Sequence, residues 1–246
     1  SATPACDGRH VYVTTAVNGS VWVTAIDFSG RIVWQSAAGP FECKWGYASS
    51  PTIYKSLVIV AADHASAPLN AGQGSSHLAA LHRQTGEIVW RIRRPSGDSF
   101  GTPIVATVAG RDQLLIAGKG SVRSYDPATG DPLWTCRWSA LRSANSVAFD
   151  DEHVFASAKH PQGELICIRA DGEGDVTASH VVWRDKSSAS EVPSPLVHDG
   201  LVYSLGDDGI LSCLDSTTGK VMWKRRLGGN MSSSPLIAGG HLYCSN

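Results

Sequence analysis

Along this chain, short apolar runs alternate with polar, glycine-bearing turns, and the three-to-four spacing of a helix face does not develop. The runs are rich in Val, Ile, Leu and Tyr, which suit a pleated, half-buried surface. The cleanest stretch begins at Ser194-Pro195-Leu196-Val197, turns at His198-Asp199-Gly200 and returns through Leu201-Val202-Tyr203-Ser204. Asp207-Asp208-Gly209 follows as a hairpin turn, because glycine accepts the positive φ such turns demand. Strands at 210–215 and 220–225 complete the unit. The pattern predicts four short antiparallel strands in about forty residues.

The second half of that unit recurs. Residues 213–223 read CLDSTTGKVMW, 124–134 read SYDPATGDPLW and 80–90 read ALHRQTGEIVW. Residues 25–34 (AIDFSGRIVW) carry the same device one residue shorter. Residues 167–183 carry it with six extra residues, most simply placed around 171–180. Each unit ends on a tryptophan, at Trp34, Trp90, Trp134, Trp183 and Trp223, and Ser-Pro or Thr-Pro opens most units. Asp27, Asp126 and Asp215 are placed to hold the turn's free N–H groups. His82 and Arg169 replace them elsewhere.

Repetition of four-stranded units predicts an all-β fold, a β-propeller of four-stranded antiparallel blades. The units fall at about 1–38, 39–95, 96–138, 139–188 and 189–228, with a partial one at 229–246, all in a single domain spanning 1–246. The fourth lacks the proline and has Asn145-Ser146-Val147 in its place. The slot nine or ten residues before the unit's closing tryptophan, or sixteen in the longer unit, holds only small side chains: Ala25, Ala80, Ser124, Cys167 and Cys213. These offer a shallow surface for a large ring, and the two cysteines serve there as small hydrophobes.

Composition narrows the function classes. A net charge of −1 leaves no basic footprint for nucleic acid or anionic lipid. No run approaches the ~20 apolar residues of a membrane helix. The first residues read as strand rather than signal peptide, so a mature or trimmed chain is expected. Six cysteines stand far apart, at 6, 43, 136, 167, 213 and 244, with no CxxC. Cys6, Cys43, Cys136 and Cys244 remain open to pairing.

The A-x-D-x-x-T-G-x-x-x-W spacing, with Ser-Pro or Thr-Pro opening each unit, resembles the tryptophan-docking repeat of pyrroloquinoline-quinone-type (PQQ-like) propellers. That family includes quinoprotein alcohol dehydrogenases and the propeller lipoprotein of the outer-membrane β-barrel assembly machinery. The resemblance covers essentially the whole chain and implies a ring of seven or eight blades. Five and a half are present here, so the chain is expected to be a fragment, with missing strands or another chain covering the open last unit. The resemblance also implies, for the enzymes, a vicinal cysteine pair beside the quinone and a calcium ion. No two cysteines are adjacent here and no calcium ligands match, so no cofactor, PQQ or calcium, is expected and no catalytic or metal residue is assigned. The chain stands closer to the non-catalytic assembly type.

Two insertions mark the candidate binding surface. Compared with the fifth unit, the second is long at 35–49 and at 64–76. In a four-stranded blade these connections emerge on the same face. They bring Phe41, Glu42, Lys44, Trp45, Tyr47, His64, Asn70, Gln73 and His77 towards one region, where aromatic anchors suit a protein partner. Other clusters point elsewhere. His10, His153 and His241 share one repeat slot and are spaced around the ring. Arg91, Arg93 and Arg94 mirror Lys224, Arg225 and Arg226 as charges on an exposed edge strand. Serines 187, 188, 190 and 232–234 sit where crowding near the axis favours small residues.

The expected function is a non-catalytic protein- or peptide-binding scaffold outside the cytoplasm, in the periplasm or cell envelope. The alternatives are a fragment of a PQQ-dependent oxidoreductase, or the sensor propeller of a larger signalling protein.

Overall fold

The structure is a computed structural model that describes residues 2–65 and 76–245. Among the described residues every regular element is a strand. Blade one is built, from inside outwards, of Ala5–Cys6, His10–Val17, Ser20–Asp27 and Ile32–Pro40. Blade two uses Thr52–Tyr54, Leu57–Ala62, His77–His82 and Ile88–Arg93. Blade three follows with Ile104–Val108, Arg111–Gly118, Ser121–Tyr125 and Pro132–Arg137. Blade four has Ala148–Phe149, His153–Ala158, Glu164–Arg169 and Val181–Asp185. Blade five has Leu196–His198, Leu201–Leu205, Ile210–Asp215 and Val221–Arg226. Leu236–Ala238 and His241–Tyr243 form a two-stranded sixth unit. The blades are antiparallel meanders in chain order, the architecture of a β-propeller.

The small slot and the tryptophan meet. Ala25, Ala80, Ser124, Cys167 and Cys213 stand directly opposite Trp34, Trp90, Trp134, Trp183 and Trp223 on adjoining strands. A register shift follows immediately after every one of these pairs. Such bulges sharpen the local twist and re-aim a side chain, here the indole.

Three indoles lie against the third-to-fourth turn of the following blade. Trp34 Nε1 donates to Arg83 O at 2.9 Å, and Trp183 Nε1 donates to Ser216 O at 2.8 Å. A Cβ on Gly86, Gly130 or Gly219 would fall 2.5, 2.9 and 2.5 Å from ring atoms of Trp34, Trp90 and Trp183. All three glycines also have positive φ, so the turn needs glycine both for its backbone and for the ring above it. Trp134 is held differently, its Nε1 donating to Gln113 Oε1 at 2.8 Å. The extra residues of blade four supply the reason: Gly174–Asp175 adds a short parallel strand along Trp134 and Thr135, a fifth strand on blade three.

The Ser/Thr-Pro openings form an inner rail. Thr3 N donates to Ser50 Oγ (2.8 Å), Ser50 N to Thr102 Oγ1 (3.0 Å) and Thr102 N to Ser146 Oγ (3.2 Å). Ser146 N then donates to Ser194 Oγ (3.1 Å), and Ser194 N to Ser234 Oγ (2.9 Å). Ser146 keeps its place in this chain although its unit lacks the proline. Each hydroxyl thus satisfies a backbone N–H that crowding near the axis would leave unpaired.

Between blades the interior is aliphatic. Val21, Val23 and Ala25 pack with Val58, Val60, Ala79 and Leu81, and Leu57, Ile59 and Leu78 pack with Leu114 and Ile116. Turn aspartates behave as their spacing predicts: Asp27 Oδ1 accepts from Ser29 N and Arg31 N, each at 3.0 Å, and Asp215 Oδ1 accepts from Thr218 N at 2.8 Å. All six cysteines are free thiols, with Cys167 and Cys213 buried in the small slot.

One expectation is overturned here. Arg94 does not stand on an exposed edge with Arg91 and Arg93; it lies buried between blades two and three. Its Nε and Nη2 each donate to an Asp63 carboxylate oxygen at 2.8 Å, and Nη1 donates to Tyr125 Oη at 3.3 Å. Burial disfavours the charged guanidinium, but the Asp63 carboxylate outweighs it and raises the Arg94 pKa above the ordinary value. The chain leaves the outer strand one residue earlier than edge-counting suggested, and Arg94 turns inwards.

Candidate functional site

The long connection into blade two starts at the end of Ile32–Pro40. Phe41 N donates to Gly19 O at 2.9 Å, tying the segment to the tip of blade one. The Phe41 ring then meets Tyr47 edge-on at 5.2 Å and His64 edge-on at 5.4 Å. Tyr47 Oη donates to Ala61 O at 2.9 Å, and burial pushes its pKa well above the ordinary phenol value. The lead-in of blade two and the end of its second strand therefore converge on one face.

This convergence sorts the candidate residues. Phe41, His64 and His77 are buried, a correction to their reading as contact surface: they form the packing beneath it. His64 is locked by its backbone, its N–H donating to Ser76 Oγ at 2.9 Å and its O accepting from Ser76 Oγ at 3.0 Å. His77 lies under Gly39, where a Cβ would come 2.5 Å from Nε2, so the chain crosses the ring as bare backbone. Glu42 and Lys44 are exposed, and Trp45 is 67% exposed with Lys44 Nζ 4.7 Å from its ring centroid. Trp45 covers no blade; its ring faces solvent. Asn70 and Gln73 lie outside the described residues.

Beside this lip is a cavity of about 610 Å³, walled by Thr14–Val17, the Asn18-Gly19 turn and Phe41, Glu42, Gly46 and Tyr47. Its floor is a strand edge. Within His10–Val17, only Val11 and Tyr12 pair with the two-residue inner strand, and Thr15, Ala16 and Val17 are exposed. The lead-in of blade two closes one end of this floor, Thr14 Oγ1 donating to Ser49 O at 3.3 Å. In chemical terms the site offers an exposed indole and one acidic and one basic side chain beside a cavity.

The buried Asp63–Arg94–Tyr125 group and Asp98, whose Oδ1 accepts from Ala65 N at 2.8 Å, lie on the same face and were missed in sequence. A signal existed: Arg94 and Trp138 both stand four residues after a recurring tryptophan. His10 and His153 keep to local carboxylates, Asp7 at 3.9 Å and Asp150 at 3.1 Å. Among the described residues no three His, Cys, Asp or Glu side chains gather as a metal set. The chain has no adjacent cysteine pair of the kind the family resemblance attaches to the quinone.

Comparison with known proteins agrees with this architecture. The outer membrane protein assembly factor BamB of Burkholderia pseudomallei is 28% identical over 239 residues, covering 92% of this chain and 58% of that protein. BamB from Moraxella catarrhalis superposes with a TM-score of 0.70 at 17% identity, over 98% of this chain and 68% of that one. The quinohemoprotein alcohol dehydrogenase of Comamonas testosteroni gives 0.74 at 13% identity, over 97% and 54%. The chain thus spans little more than half the length of the curated relatives it matches. A family model described as outer membrane protein assembly factor BamB matches residues 1–174 and 174–246, and the chain belongs to this PQQ-like repeat propeller family.

Proposed function

We propose that this chain is part of a non-catalytic propeller that binds a protein or peptide in the cell envelope, outside the cytoplasm, as a scaffold for assembly. The carrying observation is the exposed Trp45–Lys44 pair at the lip of the cleft floored by Thr14–Val17. A protein or peptide surface suits this lip, because an exposed aromatic anchor supplies affinity while the Glu42 and Lys44 charges near it supply orientation. Relatives carrying the name of an outer-membrane assembly factor support the assembly role. In the same reading the five recurring tryptophans serve as docking side chains between blades, and strands from elsewhere in a longer protein or from another chain cover the sixth unit.

Replacing Trp45 by a photo-crosslinking phenylalanine derivative in the full-length protein tests this in intact cells. A discrete protein adduct is expected from position 45 and none from exposed Asp131; no adduct at either position sinks the reading. Trp45→Ala should weaken capture by roughly 2 kcal/mol or more, the scale of an interface hot spot.

A second reading, a quinoprotein oxidoreductase fragment, rests on the fold likeness to alcohol dehydrogenase. Tight binding of the quinone with calcium and dye reduction by the full-length protein would favour it; absence of binding ends it.

A further inference from the structure

In blades two to five the residue four after the recurring tryptophan stands just past the outer strand, where the chain leaves that strand for the next blade. Between blades two and three, Arg94 fills that position with Asp63 and Tyr125. Between blades three and four, Trp138 fills it, buried, with Nε1 donating to Gly118 O at 2.9 Å. Between blades four and five the position is Ser187, followed by Ser188, Ala189 and Ser190. These side chains are too small to plug the slot. A cavity of about 220 Å³ remains, lined among others by Lys159, Lys186, Ser187, Ser188, Asp208 and Ser212.

The chemistry of the slot is uneven. Ser188 is buried, and its Oγ has no hydrogen-bond partner among the described residues. Buried hydroxyls are nearly always satisfied, so this one marks a place where a ligand atom can sit. Lys159 and Lys186 border the cavity, and Lys224 Nζ is fastened to its rim through Ser187 O at 2.7 Å and Ser187 Oγ at 3.0 Å. Two carboxylates stand nearby and keep their charge, Asp208 in the cavity wall and Asp207 beside Lys159, so among the described residues Lys186 and Lys224 are the cations without a carboxylate partner there. Asp208 Oδ1 accepts from Ile210 N at 3.3 Å within its own turn, and Asp207 accepts from Glu191 N at 2.9 Å and Val192 N at 3.0 Å, with Lys159 Nζ 3.8 Å away.

We propose that this slot between blades four and five binds a small oxyanion, a carboxylate or phosphate group. Lys186 meets its charge, Lys159 turns to it from Asp207, and Ser188 Oγ donates to it. Charge-assisted hydrogen bonds of this kind are the strong ones, and a pocket of this size holds one such group with a few carbons.

Amide NMR on the chain, titrated separately with succinate and with inorganic phosphate, tests it. Saturable shifts centred on Gly163, Ser188 and Gly206 are expected with at least one anion, and the stronger of the two identifies the source. Lys159→Gln with Lys186→Gln should weaken binding at least about tenfold. Ser187→Trp, which restores the plug Trp138 provides next door, should abolish it with the fold intact. No shift with either anion, or shifts that persist in both variants, overturns the proposal.

Discussion

Trp134 and Trp223 occupy the same position in their blades, opposite a small residue and beside a bulge, yet one is 1% exposed and the other 43%. Their own strands do not make the difference. Trp134 is covered by the Gly174–Asp175 strand that blade four sends back and by its bond to Gln113. Trp223 faces a sixth unit that contributes two strands and no third-to-fourth turn among the described residues. Burial of the indole is therefore supplied by the next unit along. In a repeat array, stability resides in the interface between units as much as within them.

The largest expected effect breaks this comparison at its buried end. Trp134→Ala should cost about 3–5 kcal/mol, read as a lower urea midpoint, because it leaves a cavity and removes one of the two hydrogen bonds to Gln113 Oε1, which keeps only that from Ser124 Oγ at 2.6 Å. Gly219→Ala comes next. Its Cβ would meet the Trp183 ring at 2.5 Å, whereas a Cβ on Gly240, also at positive φ, meets nothing within 4 Å. Thermal unfolding should show Gly219→Ala costing about 1–3 kcal/mol more than Gly240→Ala, the overpacking component alone. In this chain Trp223→Ala should cost less than about 1 kcal/mol, since nearly half of the residue is already in solvent. Equal losses for Trp134→Ala and Trp223→Ala would refute neighbour-supplied burial.

The smallest effect concerns the turns. Asp27 is held down to about 2, chiefly by the Ser29 hydroxyl and the Arg31 N–H, against an ordinary 3.8. A folded-state value below the unfolded one gives a contribution that is present above pH 3.8 and lost as pH falls through about 2. Asp215 is lowered in the same sense by Thr218. Asp27→Asn should therefore lower the melting temperature slightly at neutral pH, with the difference from the unmodified chain closing as pH falls from 3.8 through about 2, where the carboxyl is protonated in any case.

Much of this was legible along the chain. The indoles and small slots recur in all five complete blades and pair across the strands there, with Thr-Gly turns in the second, third and fifth. Ser/Thr-Pro was equally visible, but not as a rail of hydroxyls, because each bond joins residues 40 to 52 positions apart. Arg94 read as one of three edge charges because counting along a strand cannot show where the chain turns inwards. Phe41, His64 and His77 were rightly grouped at one face but wrongly set at its surface, since polarity and aromaticity do not reveal which side of a loop packs down.

What the amino-acid order determined alone is the blade: strand lengths, turn chemistry and the ring facing a small residue all depend on neighbours within about a dozen positions. What only the tertiary structure decided is how blades meet. Whether an indole is covered, an arginine finds Asp63, or a slot stays open at Ser187 depends on the adjacent unit's turn and lead-in. Those partners are distant in sequence and are brought close only by stacking.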